Sequence, residues 1–146
     1  MAWDSRQSAG DLFVAINGIS FDGHQLIKEK IAAGAQGIVA EIEPPQDLPK
    51  NISWWHVQDS RKELAHLSHE AYGSPASKLQ VYGVTGTNGK SSTVRWLASI
   101  LQSAGLKTGW MTTVDRCVAS EISQSSCTTA PATELAEALN RHHKSG

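Results

Sequence analysis

Long apolar runs are missing from this sequence. None approaches the ~20 residues that a membrane-spanning helix needs, and the opening stretch Met1, Ala2, Trp3, Asp4, Ser5, Arg6 is too polar for a secretory leader. The expectation is therefore a cytoplasmic protein with no membrane partner. Blocks of like charge are also absent: the formal net charge is −1 and Lys and Arg are scattered, which excludes the basic field that a general nucleic-acid partner would need. Cysteine is scarce. Cys117 and Cys127 stand ten apart with no CxxC pattern, so two free thiols in a reducing cytosol are expected rather than a disulfide or a metal site. What is present is ordinary for a folded chain, 40% hydrophobic and 18% charged residues over 146 positions. That length builds one domain or two small ones.

Strand-like and helix-like segments alternate. Residues 12–16 (LFVAI) form an apolar run rich in β-formers, followed by a polar turn from Asn17 to Gly23. A helical pattern over 24–33 places Leu26, Ile27 and Ile31 on one face, and Gly34 suits its C-terminal end. Residues 37–42 (GIVAEI) and 53–57 (SWWHV) read as further strands, separated by a loop with three prolines. Ser60 followed by Glu63 has the form of a capping box, opening a helix with Leu64, Leu67 and Ala71 on one stripe and a stop at Gly73. Residues 73–77 (GSPAS) read as a linker, which sets the expected boundary between domains 1–76 and 77–146.

Beyond that boundary, residues 79–84 (LQVYGV) predict a strand running into a glycine-rich turn. A helix follows over 90–104, with Val94, Leu97 and Leu101 at helical spacing and Gly105 at its end. Residues 108–114 read as a strand and 120–129 as a loop or short hairpin. Pro131 suits the first turn of a last helix with Leu135, Ala138 and Leu139 on its apolar face. The predicted class is α/β: a small first domain, then the start of a mainly parallel α/β domain.

The most informative stretch is residues 84–92, VTGTNGKSS. Small residues after a strand let successive backbone N–H groups converge on one anion, and the following helix adds its N-terminal partial charge. Lys90 can reach β- and γ-phosphates, and the Ser91 hydroxyl can ligate Mg²⁺. Val84 stands where the strict phosphate-loop pattern has its first glycine, so the loop is a variant. The competing reading is an ordinary glycine-rich turn with an exposed lysine, and the flanking strand and helix patterns weigh against it.

Gly86, Thr87, Asn88, Gly89 and Lys90, preceded by Thr85, resemble the phosphate loop of the Mur ligases, which join an amino acid to a UDP-sugar peptide at the expense of ATP. Upstream, Asp4-Ser5-Arg6, the run from Gly10 to Ile16, and Asp22-Gly23-His24 follow the order of the MurE-type members, as do Asp59-Ser60-Arg61 and Tyr72-Gly73 with Pro75. The resemblance covers nearly the whole chain. It implies a domain at 1–76 that binds the UDP substrate, with Trp3 and Ser5 lining a uridine pocket beside the turn containing Ser20 and Phe21. It implies an incomplete ATP-binding domain at 77–146, with Gly86 to Ser92 (Ser91 and Ser92 included) holding ATP and Mg²⁺, and Lys90 as the catalytic cation. Thr128 and Thr129 match a threonine pair that contacts the muramoyl peptide.

The implied reaction adds the third amino acid, diaminopimelate or lysine, to UDP-N-acetylmuramoyl-L-alanyl-D-glutamate in cell-wall synthesis. ATP phosphorylates the glutamate side-chain carboxylate and the incoming amine attacks the acyl phosphate. Downstream family elements, a glutamate and histidine for metal, a carbamylated lysine and the amino-acid-binding domain, have no counterpart in these residues. The expectation is thus a monomeric, inactive fragment. Thr112-Thr113 replaces the usual Gly-Thr, and Ala130 stands between the threonine pair and the proline. Two other classes stay open: a non-catalytic UDP-sugar or nucleotide-binding module, and an unrelated phosphate-loop ATPase or kinase. Bland readings stay open for single residues too. Thr128 and Thr129 could cap the last helix, His24 could cap locally, Trp54 and Trp55 could divide between core and surface, and His142-His143 could complement a helix end.

Overall fold

The structure, a computed structural model, describes residues 12–19, 21–125, 127 and 129–146. Trp3, Ser5, Ser20 and Thr128 lie outside the described residues, as do Asp4, Arg6 and the Gly10-Asp11 pair. The chain divides into two compact units, one up to His66 and one from Leu67 to Gly146. The division falls inside a helix, ahead of the glycine-proline stretch that marks the boundary in the sequence.

The first unit is built on a parallel sheet of β1 (Leu12–Val14), β2 (Gly37–Ala40) and β3 (Ser53–His56), with β2 in the middle. All four β2 residues are buried, as a strand between two parallel neighbours requires when both faces are covered. Between β1 and β2 the chain makes a 3₁₀ turn over Gly23–Leu26 and the short helix α1 (Ile27–Ala32), ending at Gly34 with φ 103°. Phe13, Ala15, Ile27, Ala35, Ile38, Ala40 and Ile52 form the core, with Leu26, Ile31, Leu48 and Trp54 packed on it. Gly37 packs closely: a Cβ there would meet Leu12 Cδ1 and Trp55 Cζ3 at 2.8 Å each, so both side chains would have to shift. Trp54 is the half-buried tryptophan of the pair, donating its Nε1–H to Ile42 O, and Trp55 is 51% exposed.

Helix α2 (Ser60–Ala71) starts differently from the capping-box expectation. Asp59 is the cap. Its Oδ1 accepts the Lys62 N–H at 2.9 Å and its carbonyl accepts the Glu63 N–H at 3.0 Å. Ser60 is instead a fully buried first-turn residue, its donors claimed by a distant carboxylate. The helix stops at Gly73, φ 71°.

In the second unit the expected linker is not free chain. Pro75–Lys78 is a 3₁₀ turn with Pro75 buried, lying against the last helix, α4 (Ala132–Lys144). The strand expected over 79–84 is not formed. A β-strand needs a hydrogen-bonded neighbour, and among the described residues this stretch has none; Val81 and Tyr82 stay 56% and 62% exposed. Helix α3 (Lys90–Ser103) follows, with Ala98 its buried residue and Trp96 and Ile100 exposed.

The sheet of this unit is a meander of β4 (Trp110–Met111), β5 (Asp115–Val118) and β6 (Glu121–Gln124). Its pairing is antiparallel, so the parallel sheet of this α/β chain sits in the first unit and the expected parallel pairing in the second half is corrected. The strand read over 108–114 shrinks to two residues because Thr112, buried, turns the chain: its hydroxyl accepts the N–H groups of Val114 and Asp115 at 3.1 Å. Ala119 and Ser120, φ 51° and 68°, close the β5–β6 hairpin, a primed two-residue turn made without glycine.

Candidate functional site

Two places carry the residues singled out in the sequence, one in each unit. In the second unit, the loop before α3 has Gly86 at φ 144° and Gly89 at φ 78°, values that side-chain-bearing residues rarely adopt. Gly89 caps α3 and makes no side-chain hydrogen bond to the helix start. Thr87, Asn88 and Ser92 are exposed, and Lys90 and Ser91 half-buried. The Lys90 ammonium curls back over the loop and donates to Gly86 O at 2.6 Å and Thr87 O at 3.4 Å. The loop therefore sets a helix N-terminus and one ammonium around the same turn, which suits a phosphate chain. Among the described residues no group of acidic, histidine or cysteine side chains could hold a metal alone. The donor set at Ser91, one hydroxyl, fits a hydrated Mg²⁺ that takes its other ligands from phosphates and water.

Arg95, on the second turn of α3, is held to the meander. Its Nη1 donates to Asp115 Oδ2 at 2.7 Å and its guanidinium lies 4.4 Å from the Trp110 ring centroid. Asp115 Oδ1 in turn accepts from Trp110 Nε1 at 3.2 Å and from the Thr112 hydroxyl at 3.1 Å. Thr112 thus serves the meander rather than a ligand. At the start of α4, Thr129 is exposed and no side chain caps the helix. Arg116 pairs with Glu134 on its first turn. His142, near the end of α4, accepts the Ala119 N–H at its Nδ1. Both cysteines are free, and burial pushes the Cys117 thiol up from its ordinary pKa.

In the first unit, the turn after β1 is closed by Gly18 N–H donating to Phe21 O at 2.9 Å and by a bridge between Asn17 and Asp22. Ile19 and Phe21 stand out from it, Phe21 50% exposed. His24 is more than a local cap. Asp22 Oδ1 accepts both the His24 backbone N–H at 3.0 Å and its Nδ1 at 2.6 Å, while His24 Nε2 faces the Glu41 N–H at 3.2 Å. Glu41 Oε1 accepts the N–H and the hydroxyl of Ser60, each at 2.8 Å. Arg61 Nη2 reaches Asn17 O at 3.2 Å. Both carboxyls sit below their ordinary pKa: Asp22 because the His24 backbone N–H and then its ring donate to it, Glu41 because the Ser60 N–H and then its hydroxyl do. Sequence reading missed Glu41, which looked like one more strand residue.

Comparison with known proteins converges on one family. Residues 84–146 match the Mur ligase middle domain. The chain is 36% identical over 147 residues, all of its length and 30% of the relative's, to UDP-N-acetylmuramoyl-L-alanyl-D-glutamate–2,6-diaminopimelate ligase of Cytophaga hutchinsonii. It is 43% identical over 111 residues, 75% of its length and 22% of the relative's, to the ligase of the same name from Chlorobaculum tepidum. Among solved structures it resembles the MurF ligase of Thermotoga maritima in complex with ADP, at a TM-score of 0.54 and 26% identity over 92% of this chain and 27% of that one. The UDP-N-acetylmuramoylalanyl-D-glutamyl-2,6-diaminopimelate–D-alanyl-D-alanyl ligase of Acinetobacter baumannii gives a TM-score of 0.53 at 26% identity, covering 96% of this chain and 27% of that one. The chain spans 22% to 30% of the length of these curated relatives. Glycine loop, mixed α/β architecture and aligned sequence agree: residues 84–146 match the Mur ligase middle domain, and the chain as a whole is similar to Mur ligases.

Proposed function

We propose that the chain is the part of a MurE-type ligase that holds two ligands, ATP on the second unit and a UDP-muramoyl peptide on the first. The observation that carries this reading is the loop before α3, where two glycines in the left-handed region and a curled-back Lys90 surround an uncapped helix start. Gly86 to Gly89 would cradle the phosphates through backbone N–H groups, Lys90 would set its ammonium against the β- and γ-oxygens, and the Ser91 and Ser92 hydroxyls would complete the site, Ser91 towards Mg²⁺. When bound, ATP supplies the phosphoryl group that activates a carboxylate. The work left to the protein is alignment and charge neutralisation.

The substrate proposed for the full-length enzyme is UDP-N-acetylmuramoyl-L-alanyl-D-glutamate, and the incoming amino acid diaminopimelate, as the relatives' names have it. Trp3, Ser5, Ser20 and Phe21 are proposed for the uridine end and Thr128 and Thr129 for the muramoyl peptide. The proposed domains are 1–76 and 77–146. The chain acts as a monomer in the cytoplasm, without nucleic-acid or membrane partners; no helix among the described residues is long and apolar enough to cross a membrane. Because it spans less than a third of its relatives' length, turnover is assigned to a protein of that length and ligand binding to the chain itself. Calorimetric titration of the 146-residue chain with ATP and, separately, with the UDP-muramoyl dipeptide tests both halves. Binding of neither ligand refutes the reading.

A further inference from the structure

The phosphate loop is only as well placed as α3, the helix it runs into, and α3 is lightly held. Ala98 is its one buried residue, and Trp96 and Ile100 stand 73% and 65% exposed. Lys90 bonds the loop's own carbonyls, and the Ser103 hydroxyl bonds Ser99 O within the helix. Among the described residues that leaves Arg95 as the α3 side chain that makes a hydrogen bond or ion pair to another element. It lies four residues beyond Ser91, so the two share a helix face one turn apart.

The receiving side is well ordered. Asp115 gives one carboxylate oxygen, Oδ2, to Arg95 Nη1 at 2.7 Å and the other, Oδ1, to Trp110 Nε1 and the Thr112 hydroxyl. The guanidinium Cζ lies 4.4 Å from the Trp110 ring centroid. A planar cation that is stacked on a ring and paired with a carboxylate has one preferred orientation, unlike an ordinary surface ion pair. Thr112 is buried and closes the turn beneath the carboxylate. It donates its N–H to Asp115 O at 2.8 Å, and its hydroxyl accepts the N–H groups of Val114 and Asp115.

We propose that Arg95 is a positioning residue for the phosphate loop. Clamped to Asp115 and Trp110, it fixes the Ser91 side of the α3 start against the β4–β5 turn, so nucleotide affinity depends on a contact that the nucleotide does not touch. The proposal rests on the reading that this loop binds ATP. A phosphate chain is held at the first turn of α3 through backbone N–H groups, and these keep their direction only while the helix axis keeps its own. The competing role for Arg95 is that of a bare cation one turn below the loop, drawing phosphates by charge alone. The two roles differ in the sign expected at Asp115. Removing the carboxylate loosens the clamp and weakens ATP binding under the first role. Under the second it takes away a repelling charge and strengthens binding.

The test titrates the 146-residue chain with ATP and Mg²⁺ by calorimetry, at a temperature where circular dichroism shows each variant folded. Arg95→Ala, Asp115→Asn and Trp110→Leu should each bind ATP roughly two- to thirtyfold more weakly than wild type. The double variant of Arg95→Ala with Asp115→Asn should bind no more weakly than the worse single one, since both changes break the same clamp. Arg95→Lys, which keeps the charge and loses the planar stack, should fall between wild type and Arg95→Ala. Tighter binding by Asp115→Asn, with Arg95→Ala weaker, overturns the proposal in favour of plain charge attraction. Wild-type affinity in folded Asp115→Asn and Trp110→Leu overturns it too and leaves the clamp a role in stability alone. In both cases the ATP reading stands. A wild-type chain that binds no ATP overturns both.

Discussion

Replacing Glu41 separates what its contact with Ser60 contributes to stability from what the sheet contributes. Ser60 is fully buried and gives both its N–H and its hydroxyl to Glu41 Oε1 at 2.8 Å. Glu41→Ala strands both donors where water does not reach. Each unsatisfied buried donor costs about 1–3 kcal/mol, and because one oxygen serves both the two costs are not independent, so about 2–4 kcal/mol in total is expected. For a unit of this size that lowers the midpoint of thermal unfolding by on the order of 10 °C or more. Glu41→Gln keeps an acceptor and loses only the charge assistance, for about 1 kcal/mol. The pH dependence has a definite sign. Glu41 is held below the ordinary glutamate value by the Ser60 N–H and hydroxyl, so its contribution is present above the unfolded-state pKa and disappears as pH falls through the lower folded value. The stability gap between wild type and Glu41→Gln should therefore be full near neutrality and close below about pH 4. Differential scanning calorimetry at several pH values reads all three effects. A Glu41→Ala chain melting within a degree of wild type at pH 7 would show that Ser60 finds other partners, and the contact would have no energetic content.

Two further perturbations follow from local geometry. Gly23→Ala should lower stability by about 1–3 kcal/mol, because the new Cβ meets Ile16 backbone, which cannot move aside as a side chain can; an unchanged melting temperature contradicts the close approach. Amide hydrogen exchange should be fast over residues 79–85, which form no strand, and slow over β2, where all four residues are buried. Protection of residues 79–85 matching that of β2 would mean that the expected strand does form.

What could be read from the sequence is what local pattern encodes. β1, β2, β3, α2, α3 and α4 each announce themselves through apolar spacing within one segment, and Gly34, Gly73 and Gly105 end helices with the positive φ that glycine allows. The glycine-lysine-serine loop is equally local, so it could be found without knowing the fold. The β5–β6 hairpin was open to doubt because Ala119 and Ser120 take a primed turn that glycine or asparagine usually signals. Residues 79–84 have strand composition, but strand formation is decided by a neighbour, which composition does not reveal. The capping role went to Asp59 instead of Ser60 because Glu41, nineteen residues away, competes for the serine's donors. For the same reason the contacts of His24, Glu41 and Ser60 could not be read from the sequence: a histidine, a strand glutamate and a helix-start serine have no common spacing until the chain is folded.

ATP binding by this chain depends on the loop before α3. In the structure the Lys90 ammonium rests on the carbonyls of Gly86 and Thr87, beside the uncapped start of α3, and a phosphate chain is the ligand that these donors fit. Isothermal titration of the 146-residue chain with ATP and Mg²⁺, alongside Lys90→Ala, measures this directly. A charge-assisted contact of about 1.5–3 kcal/mol predicts that the variant binds ATP roughly ten- to a hundredfold more weakly. Equal affinities in the two proteins would contradict the assignment of this loop to ATP.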